Sequence, residues 1–445
     1  MPSREELKVR VFQEIDSRAD ELISLSKSIL NNPEPGFREV KTSRLVAEKF
    51  AGMGIPFRAG LGITGLRADL VGGSPGPTVA ILGELDSLIV AEHPFADTST
   101  GAAHACGHHC QIAMLIGATM GLMQPDVLSA LSGRLALMAV PAEEYIEIEY
   151  RDSLRREGKL EFLSGKAELI RLGEFDDVHL SMMLHTTSSP EEKMLCLSGT
   201  NNGMVAKKIQ FIGRGAHAGG APHLGINALN AATLALSAIH MNRETFRDED
   251  TVRVHPIITK GGEAVSAVPA DVRMETFVRG RTIEAILDAS HKVDRALRAG
   301  ALAVGAQVKI QTIPGYLPIR QSKEMADVFR ANAVGLVGED NIGQVHHRTG
   351  STDMGDVSQL MPVIHPYVGG ATGLGHGADY VVHDYGLAVI TGAKALAGTI
   401  VDLLADGAAR GGEIVAGHRP EMTSQEYLKF MRDLASEETF ESETP

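Results

Sequence analysis

Within six residues, His104-Ala105-Cys106-Gly107-His108-His109, the sequence gathers a thiol and three imidazoles. Thiolate and neutral imidazole are soft-to-borderline donors suited to a transition metal; the alternative is a surface loop rich in the same residues. Carboxylates recur at the ends of predicted strands. Glu84 and Asp86 stand two apart just past a strand over 78–82, so their side chains point the same way. A carboxylate at Asp86 can orient a metal-ligating imidazole and raise its basicity. Glu143 and Glu144 follow an apolar strand over 134–140, an arrangement in which one carboxylate holds an ion while its neighbour serves as general base. His185 closes a strand over 178–185. Each has a bland alternative, solvated loop carboxylates or an edge histidine. Their recurrence at strand ends, where open α/β sheets bind ligands, favours chemistry.

The elements that must position these residues form two patterns. A helix over 4–30 breaks at Asn31-Asn32-Pro33-Glu34-Pro35-Gly36, and a second follows over 41–53. Strands are expected over 65–71 and 78–82, and a buried helix over 112–120 directly after the His/Cys cluster. Residues 146–176 are charged and helical, either a lid-like insertion or a solvated helix. From about residue 201 the order becomes strand (204–212), helix (227–242), strand (251–259), strand (270–278), helix (282–304), strand (307–313), a small ferredoxin-like unit. It carries the Gly-rich stretch 213–223, in which His217 can donate to a developing oxyanion. The first pattern then resumes with a helix over 322–337, a strand over 363–368, the loop 369–377 containing His376, and a helix over 385–404. The expected domains are therefore 1–200 and 315–435 as two parts of one catalytic domain, 201–314 inserted between them, and an acidic tail, 436–445, expected to be disordered.

Composition narrows the function classes. A formal charge of −14 over 445 residues argues against a nucleic-acid partner. Three cysteines, Cys106, Cys110 and Cys196, are too few for a disulfide framework in a chain this long and point to a reducing compartment. The first 22 residues are charged throughout, unlike a secretory signal, and no apolar run approaches the roughly 18 residues of a membrane span. A soluble, cytoplasmic protein is expected, with no membrane partner.

Taken in order, ILGELDSL (81–88), HACGH (104–108), PAEE (141–144), MMLH (182–185), GRGAHAGGAPHLGINALNA (213–231), VPADVRMETFVRG (268–280), GSTDMGDVS (350–358) and GLGH (373–376) resemble the M20 family of metallopeptidases and amidohydrolases. The likeness is greatest to its M20D amidohydrolase branch, which includes aminobenzoyl-glutamate hydrolases. The resemblance implies a zinc-peptidase-like α/β catalytic domain with an inserted ferredoxin-like dimerisation domain. By position it implies that Cys106, His108, Glu144, His185 and His376 hold one or two divalent ions, with Cys106 bridging. Mn or Zn is expected, and Co or Ni would also be held. It further implies Glu143 as general base, Asp86 as the carboxylate that orients a ligand, and His217 as a residue lent across a homodimer interface. The chain departs from the pattern at His109, where the branch more often has Asp or Asn, at Ser266, where relatives often carry Asn, and over 145–164, an insertion after PAEE. Two reactions on a small-molecule substrate fit: hydrolysis of the amide of an N-acyl or aminobenzoyl amino acid, and hydrolytic deamination of an activated aromatic amine such as a nitroanthranilate. A third reading, a non-catalytic metal-binding relative, sits poorly with the intact ligand set.

Overall fold

The computed structural model describes residues 2–442 and divides the chain into two units. The first comprises Met1–Gly199, Arg320–His347 and Asp356–Ser424; the second comprises Thr200–Ile319, Arg348–Gly355 and Gln425–Pro445. The second unit therefore takes in Arg348–Gly355 and the chain beyond Gln425, which the sequence reading assigned to the catalytic domain and the tail.

In the first unit a six-stranded sheet runs in the spatial order Phe57–Leu61, Gly65–Val71, Ser132–Val140, Ser74–Glu84, Leu180–Met182, Val363–Ile364. The first two pairings are antiparallel and the remaining three parallel. Residues 78–84 read as a near-continuous run of apolar and small residues because that strand lies between parallel neighbours, both of its faces covered. Its buried face receives the helix His108–Leu122, every residue of which is buried. A helix buried on every side is a core helix. Two glycines let neighbours close on it: a Cβ at Gly117 would stand 2.9 Å from Leu22 Cδ1, and one at Gly121 would stand 2.8 Å from Val11 Cγ1. The helix expected over 4–30 is in fact two, Arg4–Ser17 and Ala19–Leu30, meeting at Arg18.

One sequence expectation fails in the letter. The helix Gly386–Leu404 is 19 residues long and apolar enough to cross a membrane by length and composition, yet 78% of it is buried within the chain. Its first turns, Gly386–Thr391, are π-helical, and the rest packs as a core helix.

The second unit is a five-stranded antiparallel sheet, Arg253–Lys260, Asp271–Gly280, Gly203–Ile212, Gln307–Tyr316, Ser436–Glu441. The helices Ala228–Met241 and Ile283–Val304 share its apolar core. Strict alternation of burial along Asp271–Gly280 shows one face of the sheet packed and one not. The fifth strand corrects the tail reading. Residues 436–441, expected to be disordered, pair along the edge of Gln307–Tyr316, where Glu438 meets Arg298 at 2.7 Å and Gln307 donates to Glu441 at 2.9 Å. Residues 443–445 of that predicted tail lie outside the described residues.

Candidate metal centre

All of the donors named from the sequence except His217 fall in the first unit. Cys106 and His108 flank Gly107, which begins the buried helix with φ +93°. A side chain there would also strike Thr186 Oγ1, 2.0 Å from the Cβ position, so only glycine brings thiol and imidazole around this corner. Cys106 Sγ lies 3.2 Å from His185 Nε2. The other nitrogen of His185, Nδ1, donates to the carbonyl of Thr186 at 2.7 Å, which leaves Nε2 as the donor atom for an ion. His108 is oriented in the same way: Nδ1 donates to the Asp86 carbonyl at 2.9 Å, with Asp86 Oδ1 at 3.3 Å. Asp86 Oδ2 also accepts the Glu144 backbone N–H at 2.9 Å. One buried carboxylate thus ties two elements of the cluster together.

Three groups of possible ligands result, with atoms within 4.8 Å of one another: Cys106, His108 and His185; Cys106, Glu144 and His376; and Glu84, His108 and Glu143. The first two share the Cys106 sulfur. His376 reaches Glu144 Oε1 at 3.2 Å and is anchored by its own backbone N–H, which donates to Ala105 at 2.9 Å. It adopts φ +66°, a conformation non-glycine residues rarely take. Glu143 Oε2 stands 3.9 Å from His108 Nε2.

The donor set fits a divalent ion. Glu84 Oε2 and His108 Nε2 face each other at 3.1 Å and Glu144 Oε1 faces His376 at 3.2 Å, but these three buried atoms have no partner in hydrogen-bond geometry. Such atoms are costly, and a cation would satisfy them. Electrostatics agree. Burial and the Glu144 charge push the Cys106 thiol up, but the imidazoles of His185 and His108 outweigh them and lower it to about 6. Burial raises the Glu144 carboxyl, yet His376 beside it brings it down to about 2. The Glu144 carboxylate in turn lifts His376 to about 11 against its burial. Ligation must displace these imidazole protons.

Other expected residues lie elsewhere. His109 turns away from the donors and is buried against His104, ring centroids 5.3 Å apart, and Tyr385, 6.1 Å. Burial, then the neighbouring His108 and His93, lower its pKa to about 3, so it stays neutral. Ser266 and His217 belong to the second unit, where the Ser266 carbonyl accepts from the Ala218 N–H at 2.8 Å and so pins the His217 loop. His217 is exposed. Its Nδ1 accepts the Gly219 and Gly220 N–H groups at 3.2 and 2.8 Å, which leaves Nε2–H as a donor. The stretch 146–176 is not simply a solvated helix: its Arg151, Asp152 and Lys166 are buried.

Several residues of the site escaped sequence reasoning. Lys166 Nζ pairs with Glu84 Oε1 at 2.6 Å, both fully buried. His365 stacks on His185, centroids 5.8 Å apart, with both ring nitrogens buried and unbonded. Glu39 Oε1 accepts the Ala142 N–H at 2.8 Å. His365 falls inside the strand expected over 363–368, whereas the observed strand is Val363–Ile364 and leaves His365 just past a strand end.

Comparison with known proteins places this architecture. Residues 200–304 match the peptidase dimerisation domain of the M20 family. The Xaa-Arg dipeptidase of Mus musculus is 27% identical over 414 residues, covering 89% of each chain. One chain of the p-aminobenzoyl-glutamate hydrolase of Escherichia coli (strain K12) is 27% identical over 306 residues, 66% of this chain and 65% of that one. Among solved structures, the YXEP protein of Bacillus subtilis, described as a dinuclear metal binding peptidase from the M20 family, superposes with a TM-score of 0.63 at 21% identity, covering 87% of this chain and 99% of that one. The chain thus carries an M20 peptidase dimerisation domain beside an α/β unit whose strand ends gather thiolate, imidazole and carboxylate, is similar along most of its length to peptidases and amidohydrolases, and is a metal-dependent hydrolase.

Proposed function

We propose that this enzyme hydrolyses the amide bond of an N-acyl or aminobenzoyl amino acid, with Glu143 as general base. The observation that carries the reading is the sharing of the Cys106 sulfur by two ligand groups, Cys106–His108–His185 and Cys106–Glu144–His376, with Glu143 beside them. Two ions, Mn or Zn, bound by these groups would supply Lewis acidity to the attacking water and to the scissile carbonyl. Glu143 takes the proton of that water and returns it to the leaving nitrogen. Asp86 keeps His108 in the tautomer that presents Nε2. His217, its Nε2–H free to donate, serves the oxyanion in the neighbouring protomer of a cytoplasmic homodimer.

Support for the amide comes from the names of the relatives, a dipeptidase, an aminobenzoyl-glutamate hydrolase and an indole-3-acetyl-aspartic acid hydrolase. The complete set of donors argues against a non-catalytic role. The test is a screen on one preparation of known metal content. Dipeptides, N-acyl amino acids, aminobenzoyl-glutamate and nitro-substituted anilines are compared before and after chelation. Turnover of one of the amides, lost on chelation and restored by Mn or Zn, is expected. Ammonia released only from the anilines would sink the reading.

A further inference from the structure

The helix Ile148–Arg156, inside the insertion, sends a guanidinium into the protein against the Ala142–Glu144 segment. Arg151 is fully buried. Among the described residues it forms no ion pair; its partners are backbone carbonyls. Nη1 donates to Leu163 at 2.8 Å and Ala142 at 3.3 Å, and Nη2 donates to Glu144. Two of the three carbonyls therefore belong to the residues on either side of Glu143. The rings of Phe37 and Tyr145 lie 5.3 and 5.9 Å from the guanidinium carbon. Gly36 leaves the room for it, since a Cβ there would stand 2.3 Å from Nη2. Burying a cation without a counter-charge is expensive, and five donors in a rigid fork suit it to fixing several carbonyls at once.

What needs fixing is Ala142. It adopts φ +50°, the left-handed region, with a Cβ that makes this conformation strained. Such strain persists only where the surroundings over-determine it. Here Glu39 holds the N–H at 2.8 Å, while Arg151 and the Gly165 N–H, each at 3.3 Å, hold the carbonyl. The direction of the chain leaving Ala142 sets where the Glu143 side chain starts and, one residue later, where Glu144 reaches its ion.

We propose that Arg151 is a positioning residue for the hydrolysis: by holding the carbonyls of Ala142 and Glu144 it keeps Glu143 and Glu144 in register for proton transfer and ion binding. The proposal rests on Glu143 being the general base. The insertion is on this view a brace, and Lys166, just after it, makes a further contact with the centre through Glu84.

The test uses the metal-loaded enzyme and four variants, read by kcat, KM, ion content under chelator competition, and thermal midpoint. Arg151→Met is expected to lower kcat by about 10–100-fold, to leave KM within about threefold, and to release an ion at lower chelator concentration. Arg151→Lys keeps the buried charge but reaches fewer carbonyls, so its kcat should fall between the two with a near-normal midpoint. Arg151→Met combined with Ala142→Gly removes the strained Cβ; it should regain thermal stability without regaining kcat. Arg151→Met folded with kcat within twofold of the parent overturns the proposal. So does a double variant that regains both stability and kcat, or Arg151→Lys with unchanged kcat and ion retention, since Arg151 would then serve folding alone. Glu143→Gln separates the two readings: turnover surviving in it would sink the general base itself, whereas an inactive Glu143→Gln beside a fully active Arg151→Met sinks only the brace.

Discussion

At the scale of single residues, Glu39 links the site to stability. Burial and then the negative charge of Asp86 push its carboxyl up to about 7, above the ordinary 4.5, despite the Thr64 hydroxyl and Ala142 N–H it bonds. A raised folded-state pKa means the folded chain keeps a proton that the unfolded chain has lost. The stability this adds is complete below about 4.5, fades as pH rises and is gone above about 7. The effect is worth on the order of 1–3 kcal/mol. Glu39→Gln, neutral at all pH, should therefore flatten the loss of thermal midpoint between pH 5 and pH 8; an unchanged slope would assign the dependence elsewhere. At Glu143, replacement by Gln should cost about 10²–10⁴ in kcat with ion content intact, measured by turnover and metal analysis on the same sample. Reading from the sequence named donors that the structure brings together where they sit in neighbouring letters, as in Cys106-Gly107-His108 and Glu143-Glu144. It failed at Arg151, Lys166 and Glu39, because a charge on a helix or in a loop looks solvated until the tertiary fold buries it.

At the scale of elements, the centre depends on how closely helices can seat against the Ser74–Glu84 strand. The helix His108–Leu122 carries His108 in its first turn, so whatever displaces it moves a candidate ligand. A Cβ at Gly121 would already crowd Val11 Cγ1 at 2.8 Å, the Val11 carbonyl at 3.0 Å and Ile15 at 3.1 Å. Gly121→Val should destabilise by about 1–3 kcal/mol through overpacking, seen as a lower denaturant midpoint; an unaffected midpoint would mean the Arg4–Ser17 helix shifts freely. Element positions were legible where hydrophobic period and length agreed, as for Gly65–Val71 and Ile283–Val304. They were not legible for Ser436–Glu441, a polar, acidic stretch whose strand character comes from the edge it pairs with and from Arg298 beside Glu438.

At the scale of the whole molecule, the proposed exchange of His217 between protomers has a sharp consequence. Glu143→Gln and His217→Ala chains are each expected to be inactive as homodimers. Mixed and allowed to reassort, they form hybrids in which one site has both an intact Glu143 and an intact His217. Random pairing should then restore up to about a quarter of the parent rate, read by activity after unfolding and refolding the mixture together. No recovery, with hybrids demonstrated by mass, would place His217 outside the neighbouring site. The ferredoxin-like order was readable from periodicity, whereas residues 348–355 and 425–442 join the same unit only through contacts that no local pattern announces.

That last arrangement bears on how the protein is made. The sheet edge at Gln307–Tyr316 leaves the ribosome roughly 120 residues before Ser436–Glu441 arrives to cover it. At about 5–20 residues per second the edge stays open for roughly 6–24 s during each round of synthesis. An uncovered strand is a template for pairing with another chain, so crowded polysomes, with several nascent copies at the same stage, are where this fold is most exposed to going wrong.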